Sequence, residues 1–320
     1  MLRERIEQIN QGIEKVLKNN PDIKALISVG SFSQGYIDLF SDIDLYVFTT
    51  IPKKYMNNTD DSWISHLGNI ISRRVFRDSG EGIDKNKIIL DNGLMYDITI
   101  VNLSRFNMIK YYFMLKKYRL IGVLPKFLSR SLSGNIIKFY STIQRGYRIH
   151  ADKINLEKTL NYAINFSKTK SVTLTEKQFL NGYNFFWQSC YTASVKLIRE
   201  EFYYALLVYD HYLKKELIRM IEQKCLLEEK EKDVYYNGHK IKQWEGEDIY
   251  RKLYNTLLKD DIISMQNALI QTAKLYQYYS AIVATHNGFN LNIEFEKFVL
   301  NFIKNVAIPE CEKQQDVYRS

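Results

Sequence analysis

The chain is poor in residues that interrupt or staple a fold: 320 residues contain four prolines, fourteen glycines and three cysteines. Cys190, Cys225 and Cys311 are odd in number, far apart and in no metal-ligand spacing. That excludes a disulfide framework and a cysteine-bound zinc, and it fits a reducing compartment. Also missing is any run of the ~18–20 apolar residues that spanning a bilayer requires, so no membrane partner is expected. Residues 1–20 place Ile6, Ile9, Ile13, Val16 and Leu17 on one helical face. They lack the apolar stretch and small-residue cleavage site of a secretion signal, and a cytoplasmic protein is expected. Long blocks of one charge are absent as well. The 45 Lys and Arg exceed the 36 Asp and Glu by nine, but basic runs are pairs such as Lys53-Lys54, Arg73-Arg74 and Lys116-Lys117. Without a concentrated basic tract, nucleic acid is not the expected partner.

What is present is a 46% hydrophobic chain with 24 tyrosines and 17 phenylalanines, long enough for two domains. In the first third the hydrophobic period changes repeatedly. A helix stops at Asn19-Asn20-Pro21, and β-branched runs predict strands over 24–29, 43–48, 87–90 and 94–101. Asp91-Asn92-Gly93 joins the last two, since Asn-Gly readily takes the positive φ of a hairpin turn. Between the second and third strands, Trp63, Leu67, Ile70 and Ile71 stand at helical spacing, which predicts a helix over 62–72. From about residue 104 the pattern is helical: 104–118, 134–149, 154–167, 175–197, 200–225, 247–258, 261–286 and 292–305. One interruption, around Asn237-Gly238, reads as a small hairpin over 234–241. The expectation is an α+β protein, with a mixed-sheet domain over 1–130 and a mostly helical domain over 131–320.

The informative stretch runs from Val29-Gly30-Ser31 through Gly35 to Asp42-Ile43-Asp44-Leu45. In a strand, alternate side chains share a face, so Asp42 and Asp44 point the same way, about 6.5–7 Å apart along the chain. Two such carboxylates can hold a magnesium ion, which prefers oxygen ligands and shares them with substrate phosphates. Gly30 has no Cβ, so a triphosphate can approach its backbone, and Ser31 offers a hydroxyl and an amide. Asp97 sits mid-strand among apolar neighbours, where an ionised carboxylate is costly unless a cation or donors meet it. If its strand lies beside that of Asp44, three carboxylates converge.

This conjunction resembles the nucleotidyltransferase superfamily that includes the antibiotic adenylyltransferases and DNA polymerase β. The resemblance implies a polymerase-β-like nucleotidyltransferase domain, with Asp42, Asp44 and Asp97 as catalytic carboxylates holding two Mg2+, and Gly30 and Ser31 as the phosphate-binding turn. Further along, Phe186-Trp187, Arg199-Glu200-Glu201, the run from Ala205 to Tyr212 and the run from Glu216 to Ile221 are similar to the aminoglycoside 6-adenylyltransferases, as is the segment from Trp63 to Ile71. That resemblance implies AMP transfer from Mg-ATP to a hydroxyl of an aminoglycoside, streptomycin foremost, with pyrophosphate released. A lincosamide, protein or RNA acceptor, or a catalytically silent nucleotide-binding protein, are the alternatives, and the oligomeric state stays open.

On a helix over 200–224, positions 203, 206, 210, 213, 217 and 220 form one stripe in which Asp210 is the sole charge. A carboxylate on an apolar face must meet a partner or a cleft, so Asp210 is either the general base for the acceptor hydroxyl or half of an ion pair, for example with Lys214. The family resemblance places a carboxylate of the base's role there. Lys196 is a candidate for reaching the triphosphate. His66, His150, His211, His239 and His286 have no metal-ligand spacing and read as surface or core residues.

Overall fold

A computed structural model describes residues 2–35, 38, 40–57, 59–76, 84–126, 139, 142–167, 174–229, 234, 236–258 and 261–305. The chain divides into two units, Met1–Lys170 and Ser171–Ser320. The architecture is α+β, a mixed sheet in the first unit and helices in the second.

The first unit opens with helix α1 (Leu2–Asn19), which buries Ile9, Ile13 and Val16. Strand β1 (Ile23–Val29) runs into a single helical turn, α2 (Gly30–Gln34). Then come β2 (Ile43–Thr49), the short α3 (Pro52–Tyr55), and strands β3 (Ile70–Phe76), β4 (Asp84–Leu90) and β5 (Met95–Asn102). Helix α4 (Leu103–Lys117) is capped by Asn102, whose side chain accepts from the Ser104 amide at 2.9 Å. Strand β6 (Tyr147–Asp152) and helix α5 (Leu156–Ser167) complete the unit.

The six strands lie in the order β3-β4-β5-β2-β1-β6. Only β2 and β5 are parallel, and Gly93, at φ 75°, makes the tight β4–β5 hairpin that Asn-Gly predicts. The alternation of each strand divides the core. Leu26, Leu45, Val47, Tyr96 and Ile98 pack with α1 on one face, while Ala25, Ile27, Val29 and Phe48 pack with α4 and α5 on the other. Asp44 and Asp97 alternate with the α1-facing residues, so they belong to the second face.

Three expectations for this unit are corrected. The helix predicted over 62–72 is a loop with one 3-10 turn, Ser65–Leu67, followed by β3. Trp63, Ile64 and Leu67 are buried as loop anchors, but Gly68 at φ 147° breaks the run and Ile71 is exposed on an edge strand. The helix predicted over 134–149 ends instead in β6, where Arg148 and His150 alternate with Tyr147 and Ile149; residues 134–138, 140 and 141 lie outside the described residues. Because β6 pairs with β1, the division falls at Lys170 rather than near residue 130.

The second unit is helical: α6 (Glu176–Ile198), α7 (Phe202–Leu207), α8 (Lys214–Glu228), α9 (Ile241–Trp244), α10 (Glu247–Tyr254), α11 (Ile262–Asn287) and α12 (Ile293–Asn305). Thr175 and Gln178 form a reciprocal capping box at the start of α6. Phe179, Tyr183, Phe186, Trp187, Leu217, Met220 and Tyr276 lie in its core. The hairpin expected over 234–241 is a 3-10 turn, Tyr236–Gly238, and the start of α9, with Asn237 and Lys240 in the left-handed region.

The helix expected over 200–225 is also not continuous. Between α7 and α8, residues Val208–Leu213 form a π-helical turn. The cause is legible in the burial: Ala205, Tyr209, Leu213, Leu217 and Ile221 are all buried, one every four residues. On an α-helix each step of four overshoots a turn by about 40°, and a wider turn restores the alignment. Tyr209 locks the turn to α11, its hydroxyl meeting Thr272 Oγ1 at 2.6 Å and the Ala268 carbonyl at 3.2 Å.

Candidate active site

Gly30 ends β1 with φ 70°, a left-handed conformation that favours glycine. A Cβ there would stand 2.8 Å from Asp44 Oδ2, so the missing side chain is what lets the turn close onto the carboxylate. Ser31 follows, half-buried in α2. The turn is tied to the segment before β6: Ser33 Oγ donates to the carbonyls of Gly30 at 2.8 Å and Gly146 at 3.1 Å, and Gln34 Nε2 donates to the Arg145 carbonyl.

Strand register sets the carboxylates. Asp44 pairs with Val29 on one side and with Asp97 on the other, and adjacent strands are about 4.8 Å apart. Asp42 lies just before β2. Burial pushes the Asp44 carboxyl up to about 7, with repulsion from Asp42 and Asp97 adding to it and the Lys85 and Lys87 ammonium groups opposing it. Asp97 Oδ2 lies 3.4 Å from Lys85 Nζ, while its Oδ1 is buried without a hydrogen-bond partner. The repulsion on Asp44 and the orphaned Asp97 oxygen are both relieved by a cation.

Among the described residues, no group of three or more His, Cys, Asp or Glu side chains is placed to hold a metal ion by itself. The donors present are hard oxygens, and an ion held by two or three of them and completed by phosphates and water is the usual condition of magnesium at a nucleotide site. The residues therefore fit a divalent ion brought with a triphosphate, and they do not form a closed structural metal site.

Two groups of site residues are not conspicuous in sequence. Lys85 and Lys87 face the carboxylates because Lys87 pairs with Asp97 and Lys85 with Thr99 across the β4–β5 hairpin; the alternation in Asp84-Lys85-Asn86-Lys87 is the signal that reveals them. The excess charge is also more local than scattered pairs suggest. Residues 98–151 contain ten Lys or Arg and no Asp or Glu, and this is the segment that holds Arg145 and Gly146 against the Gly30–Gln34 turn.

The second unit holds the other two candidates. Asp210 lies in the π-helical turn, with its side chain 53% exposed and 3.2 Å from Lys214. It is not buried on an apolar stripe: Tyr203 on the same expected stripe is 87% exposed, and only Leu213, Leu217 and Met220 keep their inward places. The π turn rotates the preceding residues out of register, and the ion pair with Lys214 is formed. Lys196 bonds Glu201 at 2.6 Å and lies over the Tyr204 ring. Trp187 and Tyr209 are core residues, whereas Tyr204 is half-exposed.

A mixed α+β fold in which a glycine turn closes onto an Asp-x-Asp strand, with a third carboxylate opposite, is that of a nucleotidyltransferase. The family model described as Streptomycin adenylyltransferase matches residues 132–306. The chain belongs to that family and is an aminoglycoside adenylyltransferase by membership. The match includes Lys196 and Asp210 and begins downstream of Gly30, Asp42, Asp44 and Asp97. A search of the curated proteins finds no match. Among solved structures, the chain is similar to an aminoglycoside 6-adenyltransferase from Bacillus subtilis, at 15% identity over 93% of this chain and 97% of that one, with a TM-score of 0.40. It is also similar to a nucleotidyltransferase-like protein from Exiguobacterium sibiricum 255-15, at 14% identity over 87% and 78%, with a TM-score of 0.31.

Proposed function

We propose that the protein transfers AMP from Mg-ATP to a hydroxyl of an aminoglycoside, streptomycin foremost, and releases pyrophosphate. The observation that carries the reading is the facing of Asp44 and Asp97 with one carboxylate oxygen left unpartnered, beside a left-handed turn where a Cβ on Gly30 would crowd Asp44. Asp42, Asp44 and Asp97 would hold two Mg2+, which when bound supply neutralisation of the triphosphate charge. Gly30 and Ser31 bind phosphate through backbone and hydroxyl, while Lys85 and Lys87, on the same face as Asp97, favour a polyanion there.

The acceptor oxygen forms the new bond to the α-phosphorus, the bond to the bridging oxygen breaks, and pyrophosphate leaves with that electron pair. Asp210 takes the hydroxyl proton. Its side chain is half-exposed and pairs with Lys214, so its carboxylate is within reach of an acceptor hydroxyl without being buried. We assign nucleotide binding to the sheet unit and acceptor recognition to the helical one. Lys196, held by Glu201, has no part in this reading.

Incubating the protein with Mg2+ and each labelled NTP, against a panel of aminoglycosides, a lincosamide and RNA, tests it. One AMP added to streptomycin is expected. Labelling of only the lincosamide or RNA would replace the acceptor, and nucleotide binding without any product would make the chain a silent binder.

A further inference from the structure

Three carboxylates and two lysines share one face of the sheet, but only one contact among them is short enough to be an ion pair, Lys85 to Asp97. Its 3.4 Å separation is longer than the ~2.7–2.9 Å of a tight charge-assisted bond, and the Lys85 side chain is 36% exposed. The backbone beneath it is fixed. Asn86 is fully buried and points to the opposite face, where its Oδ1 accepts from Arg73 Nε and Nη2 at 3.0 and 2.8 Å and its Nδ2 donates to the Tyr55 carbonyl at 3.1 Å. Lys85 is therefore a long, loosely held cation on a rigid strand, next to a carboxylate whose other oxygen has no partner.

We propose that Lys85 is an exchangeable positioning residue: it holds Asp97 while the site lacks a divalent ion, and passes to the phosphates of the bound nucleotide when an ion takes Asp97. This rests on the adenylyl-transfer reading above. Phosphates sharing an ion with Asp97 would lie within reach of an amine that already reaches Asp97 Oδ2, so Lys85 would change partner by side-chain rotation alone. The direction follows from charge. A triphosphate carries more negative charge than the one carboxylate Lys85 gives up, so the lysine finds a stronger anion as soon as Asp97 is taken.

The test uses the full chain with Lys85→Met and Lys85→Arg. Mn2+ binding without nucleotide is followed by electron paramagnetic resonance, and binding of a non-hydrolysable ATP analogue with Mg2+ by calorimetry. Lys85→Met removes a competitor for Asp97, so Mn2+ should bind about 2- to 5-fold more tightly, while the analogue should bind about tenfold more weakly. Lys85→Arg should restore analogue affinity. Unchanged or weaker Mn2+ binding in Lys85→Met, or undiminished analogue binding, overturns the exchange while leaving the metal site intact. Absence of Mn2+ binding in the unsubstituted protein, with no change on Asp42→Asn, overturns the adenylyl-transfer reading and the role of Lys85 with it.

Discussion

Substituting Gly30 by alanine separates backbone strain from the chemistry of the site. At φ 70° alanine pays a left-handed penalty of about 1 kcal/mol. In a unit the size of Met1–Lys170 that lowers the melting temperature by roughly 2–4 °C. The new Cβ would also stand 2.8 Å from Asp44 Oδ2, closer than carbon and oxygen tolerate, so the carboxylate must leave its position beside Asp97. A displacement of about 1 Å at a reacting centre costs on the order of a hundredfold in rate. Gly35→Ala is the matched control: its φ is 75°, and nothing lies within 4 Å of the added Cβ. Both variants should lose a similar few degrees in a thermal melt. Only Gly30→Ala should lose Mn2+ binding and about two orders of magnitude in turnover of streptomycin and ATP. Normal turnover in Gly30→Ala, or equal damage in Gly35→Ala, refutes the contact with Asp44 as the reason for the glycine.

Asp210→Asn should lower turnover by about 10²–10⁴-fold, with affinity for the ATP analogue retained, as loss of a proton acceptor requires; near-normal turnover makes Asp210 merely the partner of Lys214. His150, bonded to Ser28 Oγ at 3.0 Å, is held down to about 4 from the usual 6.5 by burial and by the Arg148 charge. The unfolded chain therefore takes up a proton near pH 6.5 that the folded one refuses until about pH 4, and this histidine's contribution to stability should be constant above pH 7 and fall as pH drops through that window, opposite in sign to that of the raised Asp44 carboxyl. Allowing for the ring's partial exposure, the loss is about 1–3 kcal/mol. Urea unfolding at pH 7.5 and 4.5 of the unsubstituted protein and of His150→Gln should show it as a difference between the two proteins, since the Asp44 contribution is common to both; the same pH dependence in both counts against this histidine. In the helical unit, the Tyr183 hydroxyl donates to Glu296 Oε2 at 2.7 Å, and Glu296 is only 3% exposed. Tyr183→Phe should destabilise that unit by about 1–3 kcal/mol, and an unchanged melt would show that Gln277, 2.5 Å from Oε1, suffices.

The strand carrying Asp44, the strand carrying Asp97 and the Gly93 turn were legible because alternation and Asn-Gly chemistry are local. The lysines facing them were less so: Lys85 and Lys87 acquire their meaning only from the β4–β5 register. Local periodicity misled where the spacing was ambiguous. Trp63, Leu67 and Ile70 fit a helical repeat, yet Gly68 and the pairing of Ile70 with Leu90 make that stretch a loop and a strand. The run ending at residue 149 read as helical, but β1 offered an open edge and the alternation from Tyr147 to Asp152 filled it. At Asp210 a uniform 3.6-residue period put a carboxylate inward; a burial repeat of four, resolved by a π turn, puts it outward.

By itself, then, the sequence determined which residues could do phosphate chemistry, since short-range alternation and turn propensity place Gly30-Ser31, Asp42 and Asp44 at strand ends and Asp97 within a strand. Tertiary structure decided which of them meet. Pairing β2 with β5 is a contact between segments some fifty residues apart, and no local preference encodes it; it follows from burying the alternating apolar face of both strands against α1. The same burial leaves the carboxylates together on the other face, with Lys85 as the cation nearest Asp97.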